Sequence, residues 1–239
     1  MGQQELKDIF FSQGYIIFRD LIDPSLIYSL DRRQAELIPQ RGHGVDNKYF
    51  NQNVIETCPE LALWWSQQLT HWVQVQQISN LLINTLGDLF DDPCVYVADI
   101  ISNTPKNKYI KPHIDSPYRF KEWHASEELL GLQCILPLCE FTKFNGGTGI
   151  LPGSHRKTWI VADSYKGLYN DIFLKDMIQP SIGPGDVLVY HPKLLHSTMP
   201  NITNQNRRAL LIHITSQTMA AKMRQVDNIF TGLPSLSTV

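Results

Sequence analysis

The sequence predicts a mainly β fold, a double-sheet, jelly-roll-like core flanked by helices. Two observations predict it. From about residue 94 to 216 the chain is a series of short β-prone runs with turn signals between them. Residues 1–93 instead space their apolar side chains at helical intervals. Two facing sheets bury each other's inner sides, and the mouth between them is a natural place for a metal and a ligand. The expected organisation is one domain over 1–239: helix-rich to 93, a β core from about 94 to 216, and a C-terminal tail from 217 to 239.

Each element has a local reason. Leu6, Ile9 and Phe10 share a helical face within residues 5–13, and Gly14 stops that helix. Tyr15-Ile16-Ile17-Phe18 is a short β-prone run. Asp23-Pro24 reads as an N-cap followed by Pro at N1, opening a helix to about Leu37. Residues 40–59 are polar and rich in Gly and Asn, a loop carrying His43, Asn47, Tyr49, Phe50 and Asn53. Over 60–90, Leu61, Trp64, Trp65, Leu69, Trp72, Ile78, Leu81, Leu82 and Leu86 are spaced to bury one helix face. The tryptophans read as packing residues and His71 as an exposed or capped helix histidine.

Strands follow at Val95–Ile101, Leu130–Leu138, Val187–Tyr190 and Ala209–Ile214. The run Phe144-Asn145-Gly146-Gly147-Thr148-Gly149 is Gly-rich, but β-prone Ile150-Leu151 comes after it. A phosphate-cradling loop needs a helix there, so that reading is rejected.

Composition narrows the function. The chain has 239 residues, 43% of them hydrophobic, enough for a full core without metal or disulfide staples. Formal charge is −2 with no basic block, so neither nucleic acid nor a membrane surface is the expected partner. Cys58, Cys94, Cys134 and Cys139 show no CxxC spacing and read as reduced thiols. No signal-peptide pattern and no membrane-spanning apolar run is present, so a cytoplasmic location is expected.

The chemistry gathers around Pro112-His113-Ile114-Asp115. Residues i and i+2 of a strand point to one face, so His113 and Asp115 would project side by side. They supply two corners of a 2-His-1-carboxylate triad, which holds non-haem Fe(II) and leaves coordination positions open. His196 is the candidate for the second histidine. His191, His155, His213 and His124 are the spare histidines; His155 reads as a structural hydrogen-bonder, His213 as a satisfied core residue, and His124 falls in the polar stretch after Asp115.

Five motifs occur in order along the chain: Gly14-Tyr15-Ile16-Ile17-Phe18-Arg19, His113-Ile114-Asp115, Asn145 through His155, Pro184-Gly185-Asp186-Val187-Leu188, and His196 followed by Arg207-Arg208-Ala209-Leu210. From Tyr15 to about Ile214 the chain resembles the phytanoyl-CoA dioxygenase-like family of Fe(II)- and 2-oxoglutarate-dependent oxygenases. The resemblance implies a double-stranded β-helix of the cupin type, with iron on His113, Asp115 and His196. It puts the far carboxylate of 2-oxoglutarate on Arg207, eleven positions after His196, with Thr198 touching the same carboxylate. A planar guanidinium fork suits that carboxylate. Arg208, on the opposite face of the strand, takes the role if the register is off by one.

The activity so implied is oxidation, most simply hydroxylation, of a small-molecule metabolite with O2 as co-substrate and release of succinate and CO2. Asp115 argues against halogenation, because related halogenases lack this carboxylate. The polar stretch Ser116–Glu128 reads as a pocket loop or lid. If it lines the substrate site, Arg119 or Lys121 suits an anionic substrate, with Trp123 beside them. The segment before His113 lacks a Pro-Gly turn common in relatives, so substrate specificity does not carry over. The competing readings are a metal-binding cupin isomerase or lyase that has no use for 2-oxoglutarate, and a catalytically silent binding module.

Overall fold

The computed structural model describes residues 3–37, 70, 72–103, 112–160 and 167–231. Helix α1 (Gln3–Gln13) ends at Gly14, whose φ of 81° suits a residue without a side chain and whose N–H closes on Phe10 O at 2.7 Å. Strand β1 (Tyr15–Phe18) follows. Helix α2 (Pro24–Leu37) opens as its sequence predicts, with Asp23 Oδ1 accepting the Ser25 N–H at 2.8 Å. Helix α3 (Val73–Leu86) turns Val75, Ile78, Leu82 and Leu86 inward. The loop expected over 40–59, Cys58, His71 and most of the helix before Thr70 lie outside the described residues.

The remaining elements are β2 (Pro93–Asn103), β3 (Leu132–Pro137), β4 (Thr148–Ile150), α4 (Asn170–Asp176), β5 (Val187–Tyr190), β6 (His196–Thr198), β7 (Arg207–Ser216) and α5 (Gln217–Thr231). The larger sheet runs β1-β5-β3-β7-β2, every pair antiparallel. The smaller sheet pairs β4 with β6, and single bridges at Ile150↔Ile178 and His113↔His196 widen it on both sides.

Period-2 alternation divides the side chains of the larger sheet between two cores. One face sets Ala98, Leu132, Cys134, Val189, Leu210 and Ile212 against Ile27, Leu30, Ile78 and Leu82 of the helices. The other sets Ile135, Leu188, Tyr190 and Ala209 against Phe141, Ile150, Ile182 and Leu194. Fully burying each such aliphatic side chain is worth roughly 1.5–3 kcal/mol. A sheet covered on both faces reads as continuous apolar runs, as in Val187–Tyr190.

Two helices go beyond the sequence reading. Helix α4 is a seven-residue mixture of apolar and polar residues, too short to show a clear periodicity. Residues 217–231, where the sequence suggests only a tail, form α5, which buries Met219, Ala220 and Met223. Cys94, Cys134 and Cys139 are free thiols, as expected. No described helix is long and apolar enough to cross a membrane.

Candidate metal centre

His196 opens β6 and exchanges two backbone bonds with His113: His113 N–H to His196 O at 2.9 Å, and His196 N–H to His113 O at 3.1 Å. This pairing brings the two imidazoles to 4.3 Å between ring centres. Asp115 lies just beyond the bridge and not within a strand. Its N–H donates to Pro192 O at 2.8 Å, and its carbonyl accepts from Arg119 N–H at 3.1 Å. The three side chains still converge. His113 Nε2 lies 3.8 Å from Asp115 Oδ1, His196 Nε2 lies 3.3 Å from Oδ2, and one ligand atom from each residue falls within 4.8 Å of the others.

The donor set fits a divalent iron. His196 Nδ1 faces the Leu194 carbonyl at 2.9 Å, so Nδ1 carries the proton and the Nε2 lone pair is presented to the site. Burial opposes charge on Asp115, but His196 outweighs it, with help from His113 and the Tyr190 hydroxyl. The carboxyl is therefore held well below its usual range. Two imidazole nitrogens and one carboxylate are the facial set that suits non-haem Fe(II).

A buried arginine stands near the triad. In β7, Arg207 stands opposite Asn103 of β2 and is 2% exposed. Its Nε donates to Gly146 O at 3.0 Å, its Nη2 points at Thr198 Oγ1 at 3.4 Å, and its guanidinium stacks 4.6 Å from the Phe141 ring centre. Burial lowers its pKa to about 10, which still leaves it charged at neutral pH. Among the described residues no carboxylate pairs with it. An uncompensated buried cation costs several kcal/mol, so the site is built for an anionic ligand. Arg208 points the other way and forks onto Asp31 of α2 with two bonds of 2.7 Å.

The other expectations divide. Arg119 and Lys121 are exposed, and Trp123 is half-buried edge-on to Phe120 at 5.9 Å. Arg119 meets the triad through its backbone, its N–H donating to the Asp115 carbonyl at 3.1 Å. The 116–128 stretch is a run of turns pinned by fully buried Tyr118, whose hydroxyl accepts the Leu130 N–H at 2.9 Å and donates to Glu128 O. His155 bonds Phe11 O at 3.1 Å through Nε2, as a structural residue should. His213 is buried as expected, but among the described residues its Nε2 has no hydrogen-bond partner, where the sequence suggests a satisfied core histidine.

Three residues at the site escape sequence reasoning. Tyr190 donates to Asp115 Oδ2 at 3.0 Å. Asn103 Nδ2 donates to Gly146 O at 3.2 Å and Met199 O at 2.9 Å. Gly146 (φ 78°) offers its carbonyl to both Asn103 and Arg207, and a Cβ there would collide with Asn103 Nδ2. The only sequence signal is that Tyr190 shares a strand face with Leu188, and nothing local pairs it with Asp115.

A facial His-Asp-His set between the two sheets, with a buried arginine further in, defines a cupin-fold oxygenase of the Fe(II)- and 2-oxoglutarate-dependent class. The chain belongs to the phytanoyl-CoA dioxygenase (PhyH) family, whose profile matches residues 10–209. A phytanoyl-CoA dioxygenase of Arabidopsis thaliana is 22% identical over 87% of this chain and 86% of its own length. The iron/alpha-ketoglutarate-dependent dioxygenase ausO of Aspergillus calidoustus is 28% identical over 70% of this chain, which spans 54% of that protein. Among solved structures, HygX from Streptomyces hygroscopicus with nickel and 2-oxoglutarate bound superposes with a TM-score of 0.61, at 12% identity over 91% of this chain and 87% of its own. The alpha-ketoglutarate-dependent carbocyclase SnoK from nogalamycin biosynthesis gives 0.59, at 17% identity over 90% and 84%. At these identities the superpositions speak for the fold.

Proposed function

We propose that His113, Asp115 and His196 hold Fe(II), that Arg207 and Thr198 take the far carboxylate of 2-oxoglutarate, and that the protein hydroxylates a small-molecule metabolite. Arg207 carries this reading: it is a buried guanidinium whose Nη2 points at Thr198, on the same strand as His196, and among the described residues no carboxylate pairs with it. A cupin isomerase or lyase has no use for 2-oxoglutarate. Fe(II) bound there would couple decarboxylation of 2-oxoglutarate, with O2, to oxidation of a substrate C–H bond, giving succinate and CO2.

The protein's own residues set the geometry. The paired backbones of His113 and His196 fix the imidazoles, and the Leu194 carbonyl fixes the tautomer of His196. The Phe141 ring and the Gly146 carbonyl hold the guanidinium, with Nη2 turned toward Thr198 Oγ1. The substrate class stays a small molecule, and the exposure of Arg119 and Lys121 gives an anionic group no particular support.

The test is an anaerobic titration of the apo-protein with Fe(II) and then 2-oxoglutarate, followed by the weak visible metal-to-ligand charge-transfer band. The band should form in wild type, vanish in His113→Ala, and need far more 2-oxoglutarate in Arg207→Ala. No band in folded wild type would remove the oxygenase reading.

A further inference from the structure

Tyr190 is fully buried, on the inner face of β5. It comes from the sheet opposite the one that carries the histidine pair. Its strand is hydrogen-bonded on both sides, with Tyr190 opposite Tyr15 of β1 and Gln133 of β3, so the phenol stands on a rigid element. Its hydroxyl lies 3.0 Å from Asp115 Oδ2 and 3.2 Å from His196 Nε2, with the ring centre 4.7 Å from that of His196.

A phenol has one proton to give, and here two acceptors compete for it. A metal on His196 Nε2 uses that lone pair, and Asp115 Oδ2 is then the remaining acceptor. The other oxygen, Oδ1, faces His113 Nε2 at 3.8 Å. A carboxylate that ligates through one oxygen occupies one coordination position, and through both it occupies two. Resting on the iron reading above, we infer that Tyr190 is a positioning residue: its hydroxyl holds Asp115 Oδ2 and thereby keeps the carboxylate monodentate through Oδ1. That preserves three open positions, two for the keto-acid end of 2-oxoglutarate and one for O2. Removing the hydroxyl leaves Oδ2 unpaired in a buried site, free to swing onto the metal.

The test is an anaerobic Co(II) titration of the full chain, wild type against Tyr190→Phe, reading the dissociation constant and the ligand-field spectrum. Tyr190→Phe should melt near wild type, change the Co(II) dissociation constant on the order of 10-fold or more, and shift the ligand-field bands as a second carboxylate oxygen joins the metal. Equal affinity with superimposable bands would overturn the assignment. Failure of wild type to bind Co(II) would overturn the iron-centre reading and this one with it. In the Fe(III) form, an intense visible phenolate-to-iron band lost in Tyr190→Phe would make Tyr190 a ligand and overturn the positioning role. Should Tyr190→Phe not fold, wild type labelled at tyrosine Cζ and loaded with Zn(II) decides by NMR. One resonance that responds while keeping the shift of a protonated phenol supports the role; a phenolate shift, or no response, overturns it.

Discussion

Arg207 and Arg208 are adjacent in sequence and are sent to opposite sides of the larger sheet. Arg207 Nε bonds Gly146 O at 3.0 Å inside the double sheet, while Arg208 forks onto Asp31 of α2 through two bonds of 2.7 Å. Strand alternation makes one arginine a cavity residue and its neighbour a clamp for a helix.

The two arginines should therefore fail differently. Arg207→Ala removes one partner of a buried charge pair, a loss of roughly 2–5 kcal/mol, so 2-oxoglutarate binding should weaken by about 30-fold or more. Arg208→Ala should leave 2-oxoglutarate binding intact and cost roughly 1–2 kcal/mol of stability, a modest value because the pair is partly open to solvent. Ligand titration and chemical unfolding of both variants check this.

Gly146→Ala should damage stability and co-substrate binding together. The residue sits at φ 78°, where a side chain costs about 1–2 kcal/mol, and the added Cβ meets Asn103 Nδ2 and the Met199 carbonyl. Its carbonyl is also a support for Arg207. Thermal unfolding should drop by several degrees, and the 2-oxoglutarate requirement should rise. Gly167, also at positive φ and meeting Asn170 among the described residues, is the control in which Ala should spare 2-oxoglutarate binding.

Metal should stabilise the fold by mass action. A divalent ion at about 100 times its dissociation constant adds about 2.7 kcal/mol. A melting curve with Zn(II) or anaerobic Fe(II) should shift upward, EDTA should reverse the shift, and Asp115→Ala should abolish it. A shift that survives Asp115→Ala would place the metal elsewhere.

Acid should unfold the protein through His191 and His213. Burial lowers the pKa of His191 to about 3, with His155 and Lys193 adding to it, and that of His213 to about 4. Below the unfolded value of about 6.5, the unfolded chain takes up protons that the folded chain refuses. Stability is thus fully present above pH 6.5 and is lost as pH falls toward 4 for His213 and 3 for His191, by up to about 3 kcal/mol for His213. Urea unfolding at pH 7, 6 and 5 should show the decline, and His213→Gln should flatten it.

Much of the fold is legible locally. Gly14 ends α1, Asp23-Pro24 opens α2, and the β-prone runs at 15–18, 187–190 and 209–214 all lie in strands. Helix α5 carries a short helical signal, with Met219, Ala220 and Met223 at i, i+1 and i+4, and it packs against β2 and β7. At the site, His113, Asp115, His196, Arg207 and Thr198 carry recognisable spacing. Tyr190 and Asn103 do not, since their partners lie 75 and 96 positions away.

The sequence by itself determined the family and the chemical types at the site: two imidazoles, one carboxylate and one guanidinium in a fixed order. These are properties of side chains and of local spacing. Only the tertiary structure decided which arginine faces the cavity, which nitrogen of His196 is presented, and which oxygen of Asp115 the Tyr190 hydroxyl holds. Those choices depend on strand register and on backbone carbonyls brought from distant segments, and a register shift of one residue would reverse the first of them.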